Sequence, residues 1–177
     1  MLTLLFTGWS GAGKSTLAGA LSQLLQKQNY KVAVIDGDQY RDTLNKDLGF
    51  SEADRRENIR RLMNVALEKN REGYISIVAA INPFEDQRQE LCQNKTAYIV
   101  YIKCAPEVLL QRDTKGLYKR ALLPEHHPDK INNLTGINDR YDVPENPHLV
   151  IDTAIMPVEE AAKILYHFVI STLHSNA

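Results

Sequence analysis

The sequence predicts an α/β fold with a central, mainly parallel five-stranded sheet flanked by helices, and three observations lead there. Short β-branched apolar runs alternate with longer amphipathic stretches, the pattern of strand–helix crossovers. A glycine-rich segment stands between the first apolar run and the first amphipathic stretch, where a phosphate-binding βα turn would be. The chain has 177 residues, 44% hydrophobic and 24% charged, enough for one packed domain and too apolar for a disordered chain.

The strand candidates are Leu2–Thr7, Lys31–Ile35, Tyr74–Ala80, Ala97–Lys103 and His148–Ile151. Most have apolar neighbours on both sides of the alternation, as a sheet covered by helices on both faces requires. The stretch Lys14–Gln28 puts Leu17, Leu21, Leu24 and Leu25 on one helical face, and Ile59, Leu62, Met63, Ala66 and Leu67 do the same between Glu52 and Asn70. These stripes are core packing. Ser51 before Glu52 and Asp54 reads as an N-cap, Gly73 as a helix stop, and Pro106 and Pro157 as first-turn residues. Residues 115–147 break the alternation: four prolines, Gly116 and Gly136 interrupt them, which predicts a lid or binding segment within a single domain spanning 1–177.

Twenty-one Lys and Arg against 22 Asp and Glu leave a formal charge of -1. That balance excludes bulk electrostatic binding of nucleic acid, so any bound anion needs a local site. Two cysteines, Cys92 and Cys104, read as free, reduced and buried thiols. Leu2–Thr7 has no basic segment before it and reads as a strand, not a signal peptide, and no apolar run reaches membrane-spanning length. The expectation is a soluble, cytoplasmic protein with no membrane or nucleic-acid partner.

Gly8-Trp9-Ser10-Gly11-Ala12-Gly13-Lys14-Ser15 fits G-x-x-x-x-G-K-[ST] at every fixed position, after a strand and before a helix. Gly11 and Gly13 let successive N–H groups turn inward around a phosphate, and the helix start adds its positive dipole end. Lys14 supplies a cation for the outer phosphates, the Ser15 hydroxyl is placed to ligate Mg²⁺, and Thr16 is placed for the inner phosphate. Trp9 either shields the phosphates or packs against the lid, and packing is the reading adopted. Asp36-Gly37-Asp38 follows the second strand at the carboxyl edge of the sheet, with Gly37 read as a sharp turn that brings both carboxylates toward one point. Two acids beside a phosphate loop suggest metal positioning and a base for an attacking hydroxyl, hence phosphoryl transfer to a substrate.

With these residues in view, the sequence resembles the adenylylsulfate kinases, a family of P-loop kinases. The resemblance is carried by the phosphate loop through Thr16, by Asp36-Gly37-Asp38-Gln39-Tyr40-Arg41, by Leu48-Gly49-Phe50-Ser51 with Asp54-Arg55 and Glu57-Asn58, and by Asn82-Pro83-Phe84 with Arg88. Arg112-Asp113, Lys115-Gly116-Leu117-Tyr118-Lys119, Thr135-Gly136-Ile137, Pro144-Glu145-Asn146-Pro147 and Asp152-Thr153 extend it along nearly the whole chain. It implies phosphorylation of the 3′-hydroxyl of adenosine 5′-phosphosulfate (APS) by MgATP to give PAPS and ADP, in sulfate assimilation, by a homodimer. Asp38, Lys14 and Asp36 would be catalytic, Asp38 as base, with Ser15 and Asp36 at the metal. Gly8, Ser10, Gly11, Ala12, Gly13, Lys14, Ser15, Thr16, Arg112 and Thr153 would hold ATP. Arg41, Arg55 and Asn58 would bind the phosphosulfate and ribose side, Phe50 would stack on adenine, and Ile81, Asn82, Lys115 and Leu134, together with Asp36 and Asp38, would complete the APS site.

The chain departs from the family pattern in three places. Asn82 replaces the usual Ser before Pro-Phe, so no phosphoserine can form there and transfer is direct. Leu134 replaces an aromatic residue, which removes one side of an aromatic clamp. The segment Leu122–Lys130 looks longer than the usual lid, and its His126-His127 pair reads as a solvated tip and not a metal site. All three fall near the substrate base, which leaves as the alternative a related kinase acting on another activated nucleotide such as cytidine diphosphoramidate.

Overall fold

The computed structural model describes residues 2–93 and 97–175; the expected single domain also takes in Met1, residues 94–96 and residues 176–177, which lie outside the described residues. Five strands, β1 (Thr3–Thr7), β2 (Val32–Asp36), β3 (Ile75–Ala79), β4 (Tyr98–Lys103) and β5 (Leu149–Asp152), form one sheet in the order β2-β3-β1-β4-β5. Every neighbouring pair is parallel, so the expected "mainly parallel" sheet is wholly so. β2 and β5 each run one residue past the predicted end, because Asp36 keeps register with Ala79 and Asp152 with Lys103.

The helices are α1 (Lys14–Lys27), α2 (Gly37–Arg41), α3 (Glu52–Arg71), α4 (Glu85–Gln93), α5 (Pro106–Arg112), α6 (Leu117–Ala121) and α7 (Val158–Ser175). Side chains alternate across a strand, and β1 shows the result. Leu4 and Phe6 enter a core with Leu17 and Leu21 of α1 and Leu165 and Val169 of α7, while Leu5 enters a second core with Ile59, Leu62 and Met63 of α3. The predicted caps are present. The Ser51 hydroxyl oxygen accepts from the Asp54 N–H at 3.2 Å, Gly73 takes φ 89°, and Pro106 opens α5.

The strand order leaves β1 central, between β3 and β4, and the crevice outside the carboxyl ends of a parallel sheet is where such folds bind ligands. The 115–147 excursion lies over that crevice. It contains α6 and a Thr135–Asp139 bridge, and its far end is tied down: Asp142 N–H donates to the Pro83 carbonyl at 2.8 Å and Arg88 Nη2 donates to the Asp142 carbonyl at 2.6 Å.

Two expectations are corrected. Gly37 makes no sharp turn: it is the first residue of α2, with a Cβ placed there lying 3.2 Å from Ala80 Cβ and 3.3 Å from the Ala79 carbonyl oxygen, so it is needed for close packing on β3. Asp36 is buried as the cap of α2 and Asp38 is exposed, and both carboxylates act on the Lys14 ammonium. Cys92 and Cys104 are free, as expected, but each is only partly buried. His126 and His127 are exposed, and among the described residues no group of three or more His, Cys, Asp or Glu could hold a metal.

Candidate active site

The loop from β1 to α1 closes around its own backbone. Gly8, Gly11 and Gly13 have φ of 149°, 73° and 97°, left-handed angles that favour glycine. At Gly8 a Cβ would lie 2.3 Å from the Ile102 carbonyl oxygen, so β4 itself forbids a side chain there. Lys14 Nζ bridges the loop, donating to the Gly8 and Trp9 carbonyls at 2.8 Å each. Its ammonium is pushed down to about 8 by burial, opposed by Asp38, reinforced by Lys115 and opposed again by Asp36. A buried cation held this far below its ordinary range favours an arriving phosphate, which restores its charge.

Two cavities meet at this loop. The smaller, about 210 Å³, is lined by Ser10, Gly11, Gly13, Lys14, Ser15 and Thr16, with Thr114 and Lys115 from the excursion. The larger, about 500 Å³, runs from Asp38, Arg41 and Phe50 to Asn82 and Leu134. Ser10, Asp38, Ala80, Ile81 and Lys115 line both. On that shared wall Lys115 Nζ makes a direct ion pair with the Asp38 carboxylate. Asp36 lines neither cavity; its Oδ1 accepts from the Asp38 N–H at 2.9 Å and so fixes where Asp38 stands.

The larger cavity has a cationic end. Arg41 stacks on the exposed Phe50 ring at 4.4 Å from its centroid, with the Arg55 guanidinium 5.6 Å from it. Burial and then the nearby Arg55 hold Arg41 below its ordinary range. Arg55 also reaches the excursion, donating to the Asn133 carbonyl at 2.7 Å and to Asp139 at 2.9 Å, and Asn58 Oδ1 accepts from Asn45 Nδ2 at 2.8 Å.

Of the residues singled out from sequence, Asp38, Arg41, Phe50, Arg55, Asn58, Ile81, Asn82, Lys115 and Leu134 all line the larger cavity. Arg112 and Thr153 lie outside both, behind the loop: Arg112 Nη2 donates to the Thr153 carbonyl at 2.8 Å, and the Thr153 hydroxyl donates to the Ala12 carbonyl at 2.8 Å. Trp9 packs against the excursion, its ring so close to Gly136 (φ 90°) that a Cβ there would lie 2.4 Å away. Sequence reasoning missed Thr114, Arg120, Ile131 and Asn133, which line the cavities, and Tyr118, whose hydroxyl donates to the Ser10 carbonyl at 2.7 Å. No spacing rule places irregular chain over a sheet edge; Tyr118, within the quoted Lys115–Lys119 motif, and Asn133, beside Leu134, were in view but were given no role.

The family model described as adenylylsulphate kinase matches residues 1–152. The adenylyl-sulfate kinase of Bacillus licheniformis is 45% identical over 166 residues, covering 92% of this chain and 82% of that protein. A probable bifunctional SAT/APS kinase 2 of Sorangium cellulosum is 47% identical over 162 residues, 90% of this chain but 27% of that longer protein. Among solved structures, the Mycobacterium tuberculosis APS kinase CysC in complex with AMPPNP and APS superimposes with a TM-score of 0.87 at 34% identity, covering 96% of this chain and 97% of that one. A putative kinase from Chloroflexus aurantiacus, at 19% identity and a TM-score of 0.61, shares the fold.

Proposed function

The chain belongs to the adenylylsulphate kinase family, and we propose that it transfers the γ-phosphoryl group of ATP to the 3′-hydroxyl of APS, giving PAPS and ADP. The observation that carries this reading is the shared wall: a carboxylate and an ammonium, Asp38 and Lys115, stand where a phosphate cavity opens into a larger acceptor cavity. A donor phosphate in the smaller cavity and an acceptor hydroxyl in the larger would meet there.

The smaller cavity takes the ATP phosphates, with loop N–H groups, Lys14 and Thr16 around them, and Arg112 and Thr153 flank the base from behind the loop. The donor set fits Mg²⁺, which takes one or two protein oxygens and fills its shell with phosphate oxygens and water. Ser15 lies on the cavity and would hold the ion, with Asp36 behind Asp38. Held there, Mg²⁺ would neutralise charge on the phosphates. APS occupies the larger cavity, its phosphosulfate against Arg41 and Arg55 and its base on Phe50 opposite Leu134. When phosphates arrive, Lys115 turns from Asp38 toward them and frees the carboxylate. Asp38 then takes the 3′-hydroxyl proton as that oxygen attacks the γ-phosphorus and the bond to ADP breaks. The excursion 115–147 acts as the lid that excludes water.

A coupled ADP-release assay comparing APS with cytidine diphosphoramidate tests the reading. APS is expected to be turned over far above the ATP-only background. Turnover of APS at background, with the cytidine compound accepted, would sink it in favour of the alternative acceptor. The homodimer and a cytoplasmic site of action complete the proposal, the former testable by light scattering; no helix among the described residues is long and apolar enough to cross a membrane.

A further inference from the structure

Asp113 stands in the Arg112-Asp113 motif but lines neither of the two cavities that meet at the phosphate loop. Its backbone takes φ 23° and ψ 49°, a positive-φ geometry that residues with a Cβ seldom adopt and keep only where the surroundings hold them. Its own carboxylate supplies that hold. Oδ1 accepts from the Tyr118 N–H at 3.0 Å and Oδ2 from the Lys119 N–H at 2.9 Å, so one side chain takes two first-turn donors of α6 that helical bonding leaves over. The Asp113 carbonyl accepts from the Gly116 N–H at 2.8 Å, and the Asp113 N–H donates to the Leu109 carbonyl of α5 at 2.8 Å. The corner is anchored at both ends, by Arg112 on the Thr153 carbonyl and by the Tyr118 hydroxyl on the Ser10 carbonyl of the phosphate loop.

The two residues this corner encloses before Gly116, Thr114 and Lys115, are the ones it contributes to the phosphate cavity. Lysine carries its charge on a flexible four-carbon stem, and the Lys115 side chain is about half exposed, so side-chain packing does not place its ammonium. The backbone must. From this geometry we infer that Asp113 is a positioning residue for phosphoryl transfer: its carboxylate fixes the 113–118 corner so that the Lys115 ammonium stands where the two cavities join, against Asp38. Asp113 touches no substrate and acts through Lys115. A misplacement of about 1 Å at a transfer site costs on the order of 100-fold in rate, so a corner that drifts loses rate and keeps its nucleotide. The inference rests on the reading of Lys115 as the cation that meets the transferred phosphate.

The test is a double-mutant cycle between Asp113 and Lys115, read by kcat at saturating ATP and APS and by calorimetric titration of ADP. Asp113→Gly deletes both acceptor oxygens and takes φ 23° freely, while Asp113→Asn keeps the shape and the tolerance of positive φ but exchanges one acceptor for a donor. Each should lower kcat by about 10–100-fold and leave ADP affinity within about threefold, since Lys14 and the loop N–H groups are untouched. In the Lys115→Met background the same substitutions should lower kcat by no more than about twofold, because the group they position is gone. An equal fold loss in both backgrounds would mark Asp113 as merely structural, and wild-type kcat in Asp113→Gly would show that the corner stands without the carboxylate; either result overturns the inference. Loss of the fold in both variants, read by thermal unfolding, overturns it too, since the carboxylate would then hold the whole domain. Amide exchange in the wild type gives a second reading that needs no variant. The Tyr118 and Lys119 N–H groups should exchange at least about tenfold more slowly than in an unstructured peptide, and free exchange there refutes the corner. If Lys115→Met by itself keeps wild-type kcat, it is the reading of Lys115 that fails, whatever Asp113 does.

Discussion

Raising the pH from 7.5 to 9.5 should uncouple this site from its nucleotide, and the structure gives the size of the effect. Lys14 is buried under the phosphate loop with its ammonium pushed down to about 8. The unfolded chain would hold the same group near its usual 10.5. The difference corresponds to about 3 kcal/mol of differential interaction, all of it against the charged form in the empty protein. Phosphate oxygens reverse that preference, so the complex keeps the proton when the free protein has lost it. Nucleotide affinity should therefore be flat below pH 8 and fall by up to about tenfold per pH unit above it, roughly 30-fold by pH 9.5. ADP phosphates do not titrate in this range. Stability of the ligand-free protein should move the other way: between 8 and 10.5 the unfolded state binds more protons than the folded one, so stability rises with pH across that window, provided other groups are held common by the control. Calorimetric titration of ADP at half-unit steps, repeated with Lys14→Met, makes the measurement. An ADP affinity flat to pH 9.5, or a Lys14→Met variant with the wild-type slope, would refute the reasoning.

Other outcomes follow from the same geometry. Asp38→Asn should abolish phosphoryl transfer while leaving ADP affinity within about threefold, because the base goes but the loop stays; unchanged turnover would remove Asp38 from that role. Gly8→Ala should destabilise the fold by more than about 3 kcal/mol, since the new Cβ meets the Ile102 carbonyl of β4 and the φ of 149° suits only glycine; denaturant midpoints read this. Gly136→Ala drives a methyl into the ring of Trp9, the sole tryptophan of the chain. It should cost about 1–3 kcal/mol and shift the tryptophan emission in the folded state, and a wild-type spectrum with wild-type stability would mean the contact is not made in solution.

Much of the site could be read before any coordinates. The phosphate loop is legible because glycine spacing is dictated by backbone geometry, which a one-dimensional pattern records. The sheet was legible for the same reason, as strands buried on both faces must be continuously apolar. Gly37 was misread because glycine serves both turns and close packing, and the sequence does not say which; here the neighbour that excludes a side chain is β3, some forty residues away. The carboxylates of Asp36 and Asp38 both act on Lys14, but that Asp36 caps α2 and is buried while Asp38 stands exposed is a matter of local backbone geometry that the acidic pair does not announce.

By itself the sequence determined the α/β class and the phosphate loop, since these depend on periodicity and on chemistry carried by each residue, and its resemblance to a family named much of the acceptor cavity's lining but not Arg120, Ile131 or Asn133. Only the tertiary structure decided that the two cavities share Asp38 and Lys115 and that Trp9 wedges against Gly136. Those facts are relations between segments far apart in the chain, set by which strand ends meet and how the 115–147 excursion folds over them, and no local pattern encodes a meeting of that kind.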